Sequence, residues 1–366
     1  LLFNGIILTC TEVIKDTRSS SAIYHLLTGK KGIQTVHDAR LFELERFYGI
    51  YPGLDKKIFT DRMDDLTTEG YLIRSKQADH SYLLSPFGKD WLIHHQAGLP
   101  FDDYNGFSYS KMDNEFYQGI LLLIQTYTNS YKQHFSFIPL IDNRDVTQSI
   151  KAIYRVHKKI SDAKMLEGLY DELYHVLRKT NPLAAKLFVD RLTGYKDYGL
   201  SISQLAIAYD LSKEDVQLFL VAVVHLFITE VKQNKLPILS QLLQYCSMET
   251  SFITASAEKT NAMMQLGMTI EEIAERRKLK QNTIYDHIVE MALIDSDFSI
   301  KPYVSEHEFQ AIESAVHTCK SLKLKTIKKA VDHQISYFQI RLSLTRIHLS
   351  KSDERREVHD KTTDFT

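Results

Sequence analysis

Between Arg276 and Tyr285 the chain reads Arg-Arg-Lys-Leu-Lys-Gln-Asn-Thr-Ile-Tyr, four cations without a carboxylate, followed by amide and hydroxyl side chains. Cations neutralise phosphates, and amides or hydroxyls hydrogen-bond base edges, so the run carries residue types suited to nucleic acid. Arg276, Arg277, Lys278 and Lys280 would hold phosphates, while Gln281, Asn282, Thr283 and Tyr285 would touch bases or backbone. Reversing charge at Arg277 and Lys280 together should weaken such binding by about tenfold or more without unfolding the module. A second acid-free strip follows, in which Lys320, Lys323, Lys325, Lys328 and Lys329 interleave with Leu322, Leu324 and Ile327. Brought side by side, the two strips would form one phosphate track.

Such side chains need two helices and a tight turn behind them. Thr269 and Glu272 have the spacing of a capping box at a helix start, and Ile270, Ile273 and Ala274 fall on one face. Leu279 plugs the turn, a second helix begins near Lys280, and Ile284 and Ile288 point inward. That is a helix-turn-helix pattern, whose second helix enters a groove by its first turns. The same apolar offsets occur 68 positions earlier, with Leu205 and Ala206 answering Ile273 and Ala274, then Leu211, Val216 and Leu220. There the turn Asp210-Leu-Ser-Lys-Glu-Asp215 is mostly acidic, and the second helix is apolar through Val216, Leu218, Phe219, Leu220, Val221, Val223 and Val224. This earlier copy reads as a packing unit.

Bulk properties bound the rest. At 366 residues, 44% hydrophobic and 25% charged, the chain is ordinary globular material with room for several modules. Its formal net charge of -1 means that any polyanion surface must come from segregated charge. The three cysteines Cys10, Cys246 and Cys319 are scattered, which fits a reducing, cytoplasmic setting and no disulfide framework. The apolar run Leu1 to Leu8 is too short for a membrane span and reads as the start of a core helix; a first residue other than Met points to processing or trimming.

Helical periodicity dominates. Ser19 caps a short helix that Gly29 stops; 37–48 places Ala39, Leu41, Phe42, Leu44 and Phe47 at helical spacing; 54–69 follows with a stripe of Ile58, Phe59, Met63 and Leu66. Two β-prone runs, Gly70–Arg74 and Tyr82–Leu84, precede a helix opened by Pro86. Three helices and a hairpin over 19–95 make the winged-helix order. Its reading helix would be 54–69, where Asp55, Asp61, Asp64, Asp65 and Glu69 outnumber Lys56, Lys57 and Arg62, so protein contact suits it better than DNA. The aromatic segment Phe101 to Tyr109 is a linker or a packed strap. Further helices carry stripes at Phe116, Ile120, Leu123 and Ile124, at Ile153, Val156 and Ile160, and at Leu166, Leu169, Tyr170 and Leu173. The expected fold is mainly α and modular: a winged-helix domain at 1–98, a helical middle at 99–195, helix-turn-helix units at 196–250 and 251–349, and a flexible tail at 350–366.

Chemistry of other kinds finds little support. Thr28-Gly-Lys-Lys31 lacks the earlier Gly and the following Ser or Thr of a phosphate loop, so no ATPase engine is expected. His94-His95, His317-Thr-Cys319 and His287-Ile-Val-Glu290 lack a second ligand pair at zinc spacing. The acids Asp64-Asp65 and Asp102-Asp103 have no visible partners, and neither catalysis, cofactor nor metal is expected.

From about Ser256 to Leu349 the chain resembles the helicase helix-turn-helix domain found at the C-terminus of some RecQ helicases, including Val304–Ile312 and Ile335–Leu342. Taken with Ser20–Lys31, the whole chain is similar to the YpbB proteins of Gram-positive bacteria. In that family the domain stands without a helicase engine, and its gene is typically next to one for a RecQ-type helicase. The resemblance implies a non-catalytic DNA-binding accessory of a RecQ-type helicase, and so a part in DNA repair. Two alternatives stay open: a sequence-specific helix-turn-helix transcription regulator, and a protein–protein adaptor that binds no nucleic acid.

Overall fold

The computed structural model describes residues 1–75, 80–234, 236–246, 253–295, 297–319 and 322–347. In chain order come α1 (Leu2–Ile14), α2 (Ser20–Leu27), α3 (Ile33–Leu41), α4 (Lys56–Thr68), β1 (Leu72–Arg74), β2 (Tyr82–Leu84) and α5 (Pro86–His95). Next are α6 (Gly106–Tyr109), α7 (Asp113–Tyr131), α8 (Arg144–Val156), α9 (Asp162–Leu177), α10 (Pro182–Val189), α11 (Ile202–Ala208), α12 (Lys213–Gln233) and α13 (Pro237–Tyr245). The last are α14 (Ala255–Gln265), α15 (Ile270–Arg277), α16 (Gln281–Ile294), α17 (Glu306–Cys319), α18 (Leu324–Ala330) and α19 (Tyr337–Ser343). The protein is thus mainly helical, with one antiparallel hairpin that pairs Leu72 with Leu84 and Arg74 with Tyr82.

The chain divides into two compact units, and the division is not sequential. Residues 1–30 and 43–250 form the first; residues 31–42 and 251–366 form the second. The stretches read from sequence as winged helix, helical middle and first helix-turn-helix therefore share one body, apart from the excursion at 31–42.

The first unit is organised on α12. Val216, Phe219, Val223, Val224 and Phe227 are almost wholly buried there, and α1, α7, α10, α11 and α13 pack on this helix. A helix apolar on every side must lie inside a fold, so its greasy surface is consumed rather than offered to a partner. The aromatic segment is a packed strap: Phe101, Tyr104, Phe107 and Tyr109 are buried, and the Tyr104 hydroxyl donates to the Leu218 carbonyl at 2.8 Å. Buried Glu172 on α9 accepts from the amides of Ile238 and Leu239 at 2.9 Å each, which satisfies the open first turn of α13.

Several expectations need adjusting. The helix expected at 37–48 is instead Ile33–Leu41, ended by Glu43 at φ 52°. Ala39 serves the core of the second unit, whereas Leu44 and Phe47 serve that of the first. One periodic run had merged residues facing two cores. Around the hairpin, α1 takes part in place of α3 and packs on α2, β2 and α5. Ile58, 43% exposed, lies off the α4 stripe, and Tyr170 lies off that of α9 at 65%. Val156 and Ile160 are exposed because α8 ends at Val156, so no single helix face joins them to Ile153. Gly29 does stop α2, at φ 66°, and its backbone passes so close to Gly49 that an added Cβ would sit 2.8 Å from the Gly49 Cα.

Candidate nucleic-acid interface

The basic turn sits on a three-helix core of α14, α15 and α16. Thr269 and Glu272 form the expected capping box, the Thr hydroxyl accepting from the Glu272 amide at 3.2 Å and the Glu carboxylate from the Thr269 amide at 2.8 Å. α15 stops because Lys278 adopts the left-handed conformation at φ 54°, and the Leu279 amide returns to the Ala274 carbonyl at 2.9 Å. Ile273, Ile284 and Ile288 are fully buried beneath.

Not every cation of the run faces outward. Arg276, Lys278 and Lys280 are exposed, but the Arg277 guanidinium turns onto α14. It donates to the Ser256 carbonyl and to Ser256 Oγ at 2.8 Å each, and to Thr260 Oγ1. Thr260 is completely buried and also pairs with His287 Nδ1 at 2.7 Å. Arg277 therefore staples α15 to α14, and reversing its charge would disturb the module itself. Burial and the nearby Arg277 guanidinium hold His287 below the ordinary histidine value, against the opposing pull of Asp286. Glu290, also buried, receives the amide and hydroxyl of Thr254, the N-cap of α14; burial pushes its carboxyl up although those hydrogen bonds pull the other way.

Among the residues expected at bases, Gln281 and Asn282 are exposed and Thr283 is half-buried. The Gln281 amide already donates to Glu271 Oε1 at 3.3 Å, so a carboxylate lies close to the proposed contact. Tyr285 is not free: its ring stacks on Phe338 with centroids 4.3 Å apart, and Phe338 meets Tyr303 edge-on at 5.8 Å. The next residue, Asp286, holds Arg341 at 2.6 Å.

The second basic strip lies on and before α18. Lys325 and Lys329 are exposed, Lys323 is half-buried, and Lys328 donates to the carbonyls of His333 and Ile335, tying down the turn that follows. Lys320 lies outside the described residues. α19 packs both on α16 and on α18. The helices α17, α18 and α19 repeat the scheme of α14 to α16. Ile335 is buried in the turn as Leu279 plugs the other, Ser336 and Gln339 form a capping box, and Ile340 occupies the place of Ile284. The sequence held that signal, in Ile335-Ser336 followed by Gln339-Ile340, but the contacts of Phe338 with Tyr285 and of Arg341 with Asp286 were not foreseen. Also unforeseen was α3, which packs on α16 and brings buried Val36 and Ala39 into this unit.

Residues 256–344 match the family described as helix-turn-helix domain, a class of fold that binds DNA. Over 352 residues, covering 94% of this chain and 97% of the relative, the sequence is 31% identical to protein YpbB of Bacillus subtilis (strain 168). The chain belongs to the YpbB family. No solved structure matches it. Among the described residues no group of His, Cys, Asp and Glu could hold a metal ion, and no helix is long and apolar enough to cross a membrane.

Proposed function

We propose that this protein binds DNA through the second unit and acts as a non-catalytic accessory of a RecQ-type helicase. The observation that carries the reading is the exposure of Arg276, Lys278 and Lys280 on a helix-turn-helix core next to exposed Gln281 and Asn282. Support for the helicase comes from the resemblance of 256–349 to the domain that ends some RecQ helicases. Within the first unit the exposed, stacked rings of Tyr170 and Tyr174 on α9 are offered to a protein partner, whereas α12 is not.

Charge reversal tests the DNA contact. Arg276→Glu with Lys280→Glu should weaken binding of the full chain by about tenfold or more at low salt and flatten its salt dependence. The same change at Lys213, in the earlier copy, should do nothing. Equal affinities for all three proteins would reject the face. The helicase reading is tested by mixing the purified chain with a RecQ-type helicase from the same cell and measuring association by sedimentation in the absence of DNA. No association, together with unwinding rates that ignore the added chain, would reject it.

A further inference from the structure

A helix-turn-helix reads a groove about 12 Å wide through the first turns of its second helix. Beyond its first turn α16 has little left to offer. From His287 to Leu293 every residue is buried, and α3, α14, α15 and α19 all pack on it. The positions that would point into a groove are taken, Tyr285 by the Phe338 ring, Asp286 by Arg341, and Val289 by complete burial. What stays available is the exposed side chains of Gln281 and Asn282 with Lys280 beside them. An uninterrupted duplex would meet α16 through its first turn alone.

The neighbouring surface suits a different form of DNA. Tyr337 is 48% exposed and adjoins Phe338, itself part of the ladder with Tyr285 and Tyr303. α19 packs on α16, whose N-cap is exposed Lys280, and on α18, which carries exposed Lys325 and Lys329. Exposed aromatic rings on a surface that also carries cations are how proteins hold unpaired bases while contacting phosphates. We propose that the second unit prefers DNA bearing unpaired bases beside a duplex, and that Tyr337 stacks on one of those bases. The proposal rests on the DNA-binding reading above and narrows it to a class of DNA. A reader of two half-sites would need its helices about one helical turn of DNA, roughly 34 Å, apart. Here the second helices of the two motifs in this unit touch.

The test uses the full chain and three labelled probes of one sequence: single strand, blunt duplex, and duplex with a single-stranded overhang. We expect the overhang probe to bind about tenfold more tightly than the blunt duplex, Tyr337→Ala to erase that preference, and Tyr337→Phe to keep it. Blunt-duplex affinity should be the same in all three proteins, which also shows that the variants are folded. Tighter binding to the blunt duplex, an unaltered preference in Tyr337→Ala, or equal losses on every probe would overturn the proposal and leave DNA binding standing. Failure to retain any probe at low salt would instead remove the DNA-binding reading, and this one with it.

Discussion

The two helix-turn-helix copies, α11–α12 and α15–α16, share the geometry of their turns. Each first helix opens on a capping box, Ser201 with Gln204 and Thr269 with Glu272. Each turn holds one left-handed residue, Asp210 at φ 53° and Lys278 at φ 54°, at the same 68-residue offset as the apolar anchors. The amide that follows returns to the Ala carbonyl at 2.9 Å in both, Leu211 to Ala206 and Leu279 to Ala274. Beyond the turn they part. Asp215 buries its carboxylate and accepts the Phe3 amide at 2.8 Å, drawing the start of α12 into the first unit. Thr283, at the matching position, leaves the start of α16 near the surface, beside exposed Lys278 and Lys280. A turn geometry of this kind is a neutral joint. Whether it packs or presents depends on the side chains that surround it and on what the rest of the chain lays over it.

Four outcomes would break or sharpen that contrast. The largest concerns α12. Phe219→Ala should destabilise the first unit by about 3–5 kcal/mol, while salt-dependent DNA binding measured below its melting temperature stays unchanged. A collapse of binding would mean the packing copy also supports the interface. Next, Arg277→Ala should lower the stability of the second unit by about 1–3 kcal/mol, since Thr260 and Ser256 lose their donor in a buried setting. Arg276→Ala, one residue away and exposed, should leave melting unchanged and weaken only DNA binding. Finding the two variants alike in both assays would contradict the opposed orientations.

A smaller effect follows from His287, whose surroundings are Thr260, Arg277 and Asp286. Its value in the fold is depressed, so the unfolded chain takes up the proton first as pH falls. The stability it contributes is present above the ordinary histidine range, about pH 6.5, and is lost as pH falls through the lower folded value. Glu290 has the opposite sign: its raised value means stability declines as pH rises through it. Amide protection factors along α16, which divide out the intrinsic pH dependence of exchange, should therefore fall between pH 7.5 and pH 5.5 to the extent that His287 outweighs Glu290. His287→Gln should flatten that trend; an unaltered pH profile in the variant would assign it elsewhere. The smallest effect belongs to Lys278. Glycine accepts its left-handed conformation without strain, so Lys278→Gly should keep or slightly raise stability while reducing the salt slope of binding by about 0.9. Asp210→Gly should change neither slope nor affinity.

Much of this contrast was legible in the residues. Apolar spacing located both copies, Thr269 and Glu272 marked the start of the later one, and the contrast between acids and cations marked the earlier one as packing material. The hairpin and the stop at Gly29 were legible because each depends on neighbours a few residues away, whereas the choice between linker and strap at Phe101 to Tyr109 turned on α12, more than a hundred residues on. Arg277 was misread because a cation in a basic run shows its charge but not its rotamer, and its partners Ser256 and Thr260 lie on another helix. Residues 37–48 were misread because periodicity reports that a side chain is buried without saying in which core.

Local order along the backbone, in sum, was written in the sequence: which segments coil, where they stop, and which short stretch gathers positive charge. Only the folded chain decided that α3 leaves its sequence neighbours to cover α16, and that α19 sets Phe338 against Tyr285. Those pairings join residues remote in sequence, through contact energies that no window of neighbouring residues contains.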